Sequence, residues 1–297
     1  MKLQETTWAT LRQKAEAIEL KLTKNRFFDP IDRRATCATR KSKMQDFERP
    51  DDYFVERWTP CRVGRSKTER CPICDVMLAT ERVGAPLNRA IGIQIVGLNN
   101  MAFIPNAFPY TSNHWLLVRT DHYWGHYHNR RATQRGALRI KDVMRVALAW
   151  QSGSFFFNGM CGNSLEHFHV HFTSELLPLF RGNDNQWKQN VSQCALKNRW
   201  GCMCYRGEMF KFTLSNYGQV ARVVTEKAQA LTKKGADINY AGFVSKGVGH
   251  LLLIGRECAE NKLGFGSSEL AGLLTSADKK AYVESDLKRV CKKSIVK

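Results

Sequence analysis

The sequence predicts an α+β protein in which antiparallel strands carry helices packed against them. Three observations predict this class. Residues 167–172 alternate histidine with apolar residues, which is the period of a β-strand. Apolar residues recur at helical spacing at 7–24, 138–151 and 219–233. The helix and strand patterns of the first half recur in weaker form after residue 182, which predicts two duplicated halves, each an antiparallel sheet with packed helices.

The composition is that of a globular protein with an unusual charge. The chain has 297 residues, 43% of them hydrophobic, which is enough for a sizeable core. Lysine and arginine number 46 against 27 aspartates and glutamates, and the formal net charge is +19. This excess favours polyanionic partners, either phosphorylated small molecules or nucleic acid, and it also serves solubility.

Cysteine usage and the first residues indicate the compartment. Ten cysteines in a chain of this length, with no signal-like beginning, are expected to be mostly reduced. No stretch reaches the roughly 20 apolar residues of a membrane-spanning helix. We therefore expect a cytoplasmic protein that does not cross a membrane.

The first part of the chain is predicted to be a helix at 7–24 that packs on the remainder of the protein. Residues 25–50 are rich in arginine and lysine, and this stretch is either an arm over an anionic ligand or a solvated loop. The following elements of the first half are strands at 54–59, at 91–96, at 101–104 and from Phe155, with a helix at 138–151.

The second half begins after a polar turn at 182–186. Its predicted elements are a helix at 219–233, strands at 238–244 and 250–254 joined through 247–249, and a basic helix at 278–293. The chain therefore divides into an N-terminal helix and basic arm (1–53), a first half with the histidines (54–181) and a degenerate second half (182–297).

The histidines at alternate positions are the centre of the predicted function. On a strand, His167, His169 and His171 would share one face while the apolar residues between them fill a core. A row of imidazoles suits metal ligation, and it equally suits attack on a phosphate by a neutral ring nitrogen. The turn before them favours phosphate, because small residues let backbone N–H groups approach an anion and a hydroxyl adds a donor. That turn contains Gly162, Asn163 and Ser164.

A second cluster of metal-binding character is Cys71-Pro-Ile-Cys74. Two cysteines at this spacing can point at one zinc ion, but they supply only two of the four ligands of a structural site. The alternative is a redox pair like that of thioredoxin, which needs a following helix in a βαβ unit. The sequence shows a loop and further strands here, which favours zinc.

Residues 161–172 resemble the active-site motif of the histidine triad (HIT) superfamily, His-x-His-x-His followed by apolar residues. Phe155-Phe-Phe-Asn158-Gly159 and Ser164 are similar to the branch containing galactose-1-phosphate uridylyltransferase and the diadenosine tetraphosphate and GDP-hexose phosphorylases. A second signature begins at Asn106 and includes His114-Trp-Leu-Leu-Val before His122. The resemblance covers about 54–175, and a stretch from Leu263 resembles the end of the dinucleotide phosphorylases. That branch usually has Gln where this chain has His171.

The resemblance implies a HIT-like fold and a role for each matching residue. His169 would be the nucleophile and form a nucleotidyl-histidine. Developing charge on the phosphoryl oxygens would be met by the turn at Gly162 and Asn163, by the Ser164 hydroxyl and by His171. The remaining implied substrate ligands are Asn158 for phosphate, Asn106 for ribose or phosphate, and Lys246 in the second half for the leaving group.

The resemblance also implies a complete structural zinc site. Its ligands would be Cys71, Cys74, His122 and His167, with His126 and His128 as rivals for the third place. Such a closed site would fix the position of the histidine strand and leave no open coordination position for substrate.

Three functions follow from these interpretations. The first is a nucleotidyltransferase or phosphorylase acting on a nucleoside polyphosphate or nucleotide-sugar, with inorganic phosphate or a sugar phosphate as acceptor. The second is a HIT-type hydrolase of dinucleotides or capped RNA, which His171 and the net charge of +19 favour. The third is an RNA-binding protein on a HIT-like scaffold.

Overall fold

The structure is a computed structural model, and it describes part of the chain in detail. The described residues are 2–24, 45–48, 55–58, 91–106, 110–120, 139–159, 168–182, 207–256 and 266–276. Within these ranges the strands are β1 (Lys2–Thr6), β2 (Gln45–Glu48), β3 (Val55–Trp58), β4 (Ile91–Ile95), β5 (Met101–Pro105), β6 (Trp115–Arg119), β7 (Gly153–Phe157), β8 (His169–Thr173), β9 (Gly207–Phe212), β10 (Asp237–Ser245), β11 (Val248–Arg256) and β12 (Leu273–Ser276).

The described helices are α1 (Leu11–Lys24), α2 (Ile140–Trp150), α3 (Tyr217–Lys233) and the short α4 (Ser267–Leu270). Single 3-10 turns lie at Trp8–Thr10 and Pro178–Phe180. Among the described helices, none is long and apolar enough to cross a membrane.

A nine-stranded sheet organises the described part of the chain. Its strand order is β1-β4-β5-β6-β8-β7-β10-β11-β9. Neighbouring strands are antiparallel, except that β1 runs parallel to β4. A smaller sheet has the order β12-β3-β2. The histidine strand β8 lies near the middle of the large sheet, where both of its edges are hydrogen-bonded.

One face of the large sheet packs against the three long helices. In α2, six residues at spacings of one to four positions are buried: Ile140, Val143, Met144, Val146, Ala147 and Trp150. They meet Phe155 and Phe157 of β7 and Val170 and Phe172 of β8 in one apolar cluster. Full burial of each such side chain contributes about 1.5–3 kcal/mol, so this face supplies much of the folding free energy.

The opposite face carries the histidines beside a second apolar cluster. Phe156 of β7, Phe243 of β10 and Leu252 of β11 point to this face, and they pack against residues 177–180 and 271–273. On β8 itself, His169 and His171 occupy this face in place of apolar residues. The same strand therefore contributes its apolar side to the helix-covered core and its polar side to this face.

The predicted α+β class with antiparallel strands and packed helices is confirmed. The predicted helices at 7–24, 138–151 and 219–233 are also found, with small changes at their ends. The strands of the two predicted halves join edge to edge, because β7 pairs with β10 along five residues. The proposed boundary at 182–186 lies at the end of a described range, and 25–44 and 278–293 lie outside the described residues.

Two features differ from the prediction. Residues 2–6 form a strand that adds to β4, which the sequence pattern did not indicate. The turn between β10 and β11 consists of Lys246 and Gly247, both with positive φ (49° and 76°), so Val248 and Gly249 belong to the strand. Two residues with positive φ form the kind of turn whose twist matches an antiparallel hairpin.

Candidate active site

Strand β8 places two of the three predicted histidines side by side. His169 and His171 alternate with Val170 and Phe172, and the two imidazole rings have centroids 4.9 Å apart. Both rings are buried, with 4% and 7% of their surface exposed. The extended backbone expected here is therefore found from His169 onwards, whereas His167 lies outside the described residues.

Aromatic rings hold His171 in place. Phe156 is its cross-strand partner on β7, and the two rings stack with centroids 4.6 Å apart and an interplanar angle of 7°. Tyr110 approaches from the segment between β5 and β6, with a centroid 6.2 Å from that of His171. Stacked and tilted rings restrict rotation of the imidazole, so its nitrogens keep fixed directions.

A third histidine, His114, joins this cluster just before β6 begins. Its Nε2 atom lies 2.9 Å from Nδ1 of His171. The backbone N–H of Tyr110 donates to Nδ1 of His114 over 3.3 Å. Because a backbone N–H can only donate, Nδ1 of a neutral His114 is the acceptor and its Nε2 carries the hydrogen. That hydrogen goes to Nδ1 of His171, and the neutral His171 then carries its own hydrogen on Nε2.

The segment that carries His114 is fastened to the end of β8. The Thr173 hydroxyl donates to the carbonyl of Ser112 over 2.8 Å, and the backbone N–H of Ser174 donates to the same carbonyl over 3.2 Å. The carboxylate of Glu175 accepts the backbone N–H of Ser112. These contacts fix the position of His114 along the direction of β8, beside His171, which lies two residues before Thr173 on that strand.

Asn106, predicted as a substrate ligand, lies at the edge of the cluster. Its backbone N–H donates to the carbonyl of His114 over 2.8 Å, and its amide Nδ2 lies 3.1 Å from Nε2 of His114. Since the single hydrogen on Nε2 of His114 points to His171, the Asn106 amide can only share that hydrogen, with its oxygen turned to the ring. The structure thus brings Asn106 to the histidines, and its role toward ribose or phosphate stays a prediction.

Asn158, the second predicted phosphate ligand, follows the last residue of β7. In the pairing of β7 with β8, Phe157 is opposite Val170, so Asn158 is level with His169. Its Oδ1 accepts the backbone N–H of Ser267 over 2.6 Å. One end of the amide is therefore held by the second half of the chain, and its predicted contact with phosphate stays a prediction.

Lys246 is not brought together with the histidines. It lies at the tip of the β10–β11 hairpin. Phe156 of β7 is opposite both His171 of β8 and Ala241 of β10, so Ala241 is level with His171, and Lys246 lies five residues further along the chain. Five residues of strand span roughly 17 Å, which is more than a lysine side chain can reach. The hairpin tip lies at the end of the sheet where β8 finishes, opposite the end where His169 begins that strand.

The other predicted site residues lie outside the described residues. They are Cys71, Cys74, His122, His126, His128, Gly162, Asn163, Ser164 and His167. Within the described ranges, no group of three or more His, Cys, Asp or Glu side chains is arranged to hold a metal ion. The predicted zinc site therefore stays a prediction.

Comparison with solved structures identifies the fold. The yeast Ap4A phosphorylase Apa2 in complex with Ap4A superposes with a TM-score of 0.54 and 12% sequence identity, covering 98% of this chain and 94% of that chain. A second crystal structure of yeast Ap4A phosphorylase Apa2 gives a TM-score of 0.50 and 14% identity, covering 98% of this chain and 92% of that chain. The chain has the HIT-like fold. The predicted fold is thereby confirmed.

Sequence comparison alone gives no relative. No protein-family model matches the chain, and no curated protein matches it by sequence. The solved structures align over 98% of this chain, so the likeness in fold extends through the residues from Gly207 onwards.

Sequence reasoning missed several residues of the site. His114 was noted only as the start of a motif, and its hydrogen bond to His171 depends on how a segment before β6 folds against β8. Asn239 and Ser267 of the second half were not singled out, yet both contact the residues that follow β7. The structure shows both side chains completely buried, which is unusual for polar residues. The sequence itself shows only that the two residues are polar.

Proposed function

We propose that the chain is a nucleotidyltransferase or phosphorylase that acts on a nucleoside polyphosphate or nucleotide-sugar through a nucleotidyl-histidine on His169. The observation that carries the proposal is the pair of buried imidazoles on one face of β8, with His171 held by His114 and Phe156. The likeness in fold to an Ap4A phosphorylase supports the same class of substrate.

The reaction proceeds in two displacements. A ring nitrogen of His169 attacks the α-phosphorus, the new P–N bond forms, and the bond from that phosphorus to the bridging oxygen of the leaving group breaks. An oxygen of inorganic phosphate or of a sugar phosphate then attacks the same phosphorus, and the P–N bond breaks to release His169. Dividing the transfer in this way replaces one difficult step by two easier ones.

His171 serves the same reaction as a hydrogen-bond donor. With its Nδ1 accepting the hydrogen from His114, a neutral His171 carries its own hydrogen on Nε2, and in this proposal that N–H stabilises an oxygen on which negative charge develops. The Ser164 hydroxyl and the backbone N–H groups of Gly162 and Asn163 add donors to the phosphoryl oxygens in this proposal. In this proposal Asn158, level with His169 at the end of β7, and Asn106, beside His114, add further polar contacts to the substrate.

We further propose a structural zinc ion held by Cys71, Cys74, His122 and His167. The support is the Cys-x-x-Cys spacing and the residue types, which are those of closed tetrahedral zinc sites. When bound, the ion would supply rigidity at the start of the histidine strand. The chemistry of nucleotidyl transfer requires only His169 and its neighbours.

A hydrolase of dinucleotides or capped RNA is the second candidate. His171 favours it, because the transferring branch that the sequence resembles usually has Gln at this position. The net charge of +19 suits an RNA substrate and equally a protein that binds RNA without reacting with it. The three functions differ in covalent labelling and in the acceptor.

Covalent labelling tests the proposal directly. The protein is incubated with Ap4A, ADP-glucose, UDP-glucose or GDP-mannose labelled in the α-phosphate, then denatured and separated from free nucleotide. At least one substrate is expected to leave acid-labile label on the protein, located on His169 by mass spectrometry. His169→Ala should remove the label, whereas His250→Ala, a histidine stacked on Phe243 away from the cluster, should retain it.

The acceptor distinguishes transfer from hydrolysis. Added phosphate or hexose 1-phosphate should accelerate turnover and appear in the product if the first function is correct. A rate and product unchanged by these acceptors indicate the hydrolase. Absence of label with every substrate, together with salt-sensitive RNA binding that survives His169→Ala, would replace both enzymes by the RNA-binding protein.

A further inference from the structure

Two buried residues of the second half hold the chain where it leaves β7. The Oδ1 atom of Asn239, on β10, accepts the backbone N–H of Gly159 over 3.0 Å. The hydroxyl of Ser267, at the start of α4, donates to the carbonyl of Phe157, and its backbone N–H donates to Oδ1 of Asn158 over 2.6 Å. Three consecutive residues, 157–159, are thus each bonded to the second half.

The same two residues lie against each other, and Asn239 is also bonded to a neighbour. The Ser267 hydroxyl lies 3.4 Å from Oδ1 of Asn239, and Nδ2 of Asn239 donates to a carboxylate oxygen of Asp237 over 3.4 Å. Asn239 and Ser267 are both 0% exposed. A buried amide held at both ends keeps one orientation, because turning it would place donor against donor.

Two glycines allow this close approach. A Cβ atom on Gly159 would lie 2.4 Å from a carboxylate oxygen of Asp237, and one on Gly266 would lie 2.7 Å from Oδ1 of Asn158. Neither position leaves room for a side chain unless the neighbours move. The two halves therefore approach each other so closely at Gly159 and Gly266 that only a residue without a side chain fits.

We propose that Asn239 and Ser267 form a clamp, here called the β7 clamp, that positions residues 157–159 for nucleotidyl transfer at His169. This inference rests on the proposed function. Asn158 is level with His169 across the sheet, and Gly159 lies nine positions before Phe168, where the described chain resumes just ahead of β8. A second half without its own histidine triad thus contributes positioning residues to the site of the first half.

The clamp orients a specific group. Since Oδ1 of Asn158 is bonded to Ser267, its Nδ2 is the end of the amide that can donate to a phosphoryl oxygen beside His169. Alanine at 267 keeps the backbone N–H that holds Oδ1 of Asn158, but it removes the bond to the Phe157 carbonyl, and alanine at 239 removes the bond to the Gly159 N–H. Without these bonds the backbone on either side of Asn158 would shift and carry the amide with it. A displacement of about 1 Å in such a group costs on the order of 100-fold in rate.

The test compares Asn239→Ala and Ser267→Ala with Ser154→Ala in the full chain. Ser154 lies on the same strand and face as Phe156, is 0% exposed, and its hydroxyl accepts the backbone N–H of Leu177 over 2.9 Å. It is a matched control, because its loss also leaves a buried backbone donor unsatisfied, at the end of β7 away from the clamp.

Two readouts are measured with Ap4A labelled in the α-phosphate as the probe. The rate of labelling at saturating Ap4A should fall roughly 10- to 100-fold in both clamp variants, with a smaller change in the half-saturating concentration. Amide hydrogen exchange in peptides covering 155–169 should accelerate in the same variants. Ser154→Ala should label at nearly the wild-type rate and accelerate exchange near Leu177 instead.

A double variant that exchanges the amide of Asn239 and the carboxylate of Asp237 tests whether the labelling rate can be restored. Asn239→Asp alone keeps the acceptor for Gly159 but places two carboxylates together, so labelling should fall. Combining it with Asp237→Asn restores one donor and one acceptor, and labelling should recover severalfold. Wild-type labelling in Asn239→Ala and Ser267→Ala, or an equal loss in Ser154→Ala, would overturn the proposal.

The exchange readout separates this inference from the proposed function. If Ap4A and the other labelled substrates leave no label on the wild-type protein, the proposed function fails. Faster exchange confined to 155–169 in the clamp variants would still support the clamp as a local positioning contact. Exchange that rises equally across β10, β11 and the helices would reduce it to a general contribution to stability and overturn it.

Discussion

His114 and His171 are 57 residues apart in the sequence, and their ring nitrogens lie 2.9 Å apart in the fold. The backbone N–H of Tyr110 occupies the other nitrogen of His114, so the hydrogen between the two rings belongs to His114. His171 is thereby kept as the tautomer that has its hydrogen on Nε2. This relationship makes a residue outside the three alternating histidines part of the proposed chemistry.

Replacing His114 by alanine is expected to slow nucleotidyl-histidine formation on His169 by roughly 100-fold, since His171 then loses the partner that fixes its hydrogen. His250→Ala removes another histidine ring, stacked on Phe243 with centroids 4.8 Å apart, and should leave the rate within about twofold of wild type because it lies away from the proposed reaction. The measurement is the single-turnover labelling rate. Equal rates for His114→Ala and wild type would contradict the role given to His114.

Gly153, the first residue of β7, is expected to tolerate no side chain. Its φ is 103°, and a Cβ atom there would lie 2.0 Å from the carbonyl oxygen of Thr173. Gly235 also has positive φ, 84°, but nothing lies within 4 Å of its added Cβ atom. Gly153→Ala should therefore lower the free energy of unfolding by about 1–3 kcal/mol more than Gly235→Ala does. Chemical denaturation of both variants measures the difference, and similar losses would show that the clash is relieved.

Arg145 of α2 is expected to link three elements through its guanidinium group. The group lies 5.0 Å from the ring centroid of Trp8 and 5.6 Å from that of Tyr217. Arg145→Ala should lower the free energy of unfolding by about 1–2 kcal/mol, through two cation–π contacts and lost packing. Arg222→Ala, an exposed arginine on α3, is the control and should change it by less than about 0.5 kcal/mol. Equal effects of the two substitutions would show that the contacts of Arg145 with Trp8 and Tyr217 add no stability.

Zinc content provides a prediction for residues outside the described ranges. Protein purified without chelators is expected to contain about one zinc ion per chain, because four ligands of the right type complete one tetrahedral site. Cys71→Ser should lose that ion and lower the melting temperature, whereas a control such as Cys258→Ser should keep it. Elemental analysis measures the metal. Retention of zinc in Cys71→Ser would assign the ion to other ligands.

The sequence predicted the elements whose pattern is local. The alternation of His169, Val170 and His171 is enough to indicate a strand, because successive side chains of a strand point to opposite faces, so the histidines share one face and the apolar residues the other. The helix at Ile140–Trp150 was predicted for the same reason, from the stripe of apolar residues that it buries.

The features that escaped prediction depend on contacts between distant parts of the chain. Strand β1 is held by parallel pairing with β4, and nothing in Lys2–Thr6 itself indicates that partner. Ser267 meets Asn158 across 109 positions of sequence. The turn between β10 and β11 begins one residue earlier than predicted, at Lys246, which adopts positive φ. A glycine indicates that a turn is near, but it does not determine which residue the turn begins with.

The pairing of β7 with β10 has a consequence for how the histidine-bearing sheet is protected. A gene fragment ending near residue 182 would encode a protein whose strand β7 exposes an unpaired row of backbone N–H and C=O groups. Such an edge invites pairing with any other extended chain, including a copy of itself. In the full chain β10 covers that edge along five residues, so the strand beside the histidines is closed to pairing with other chains.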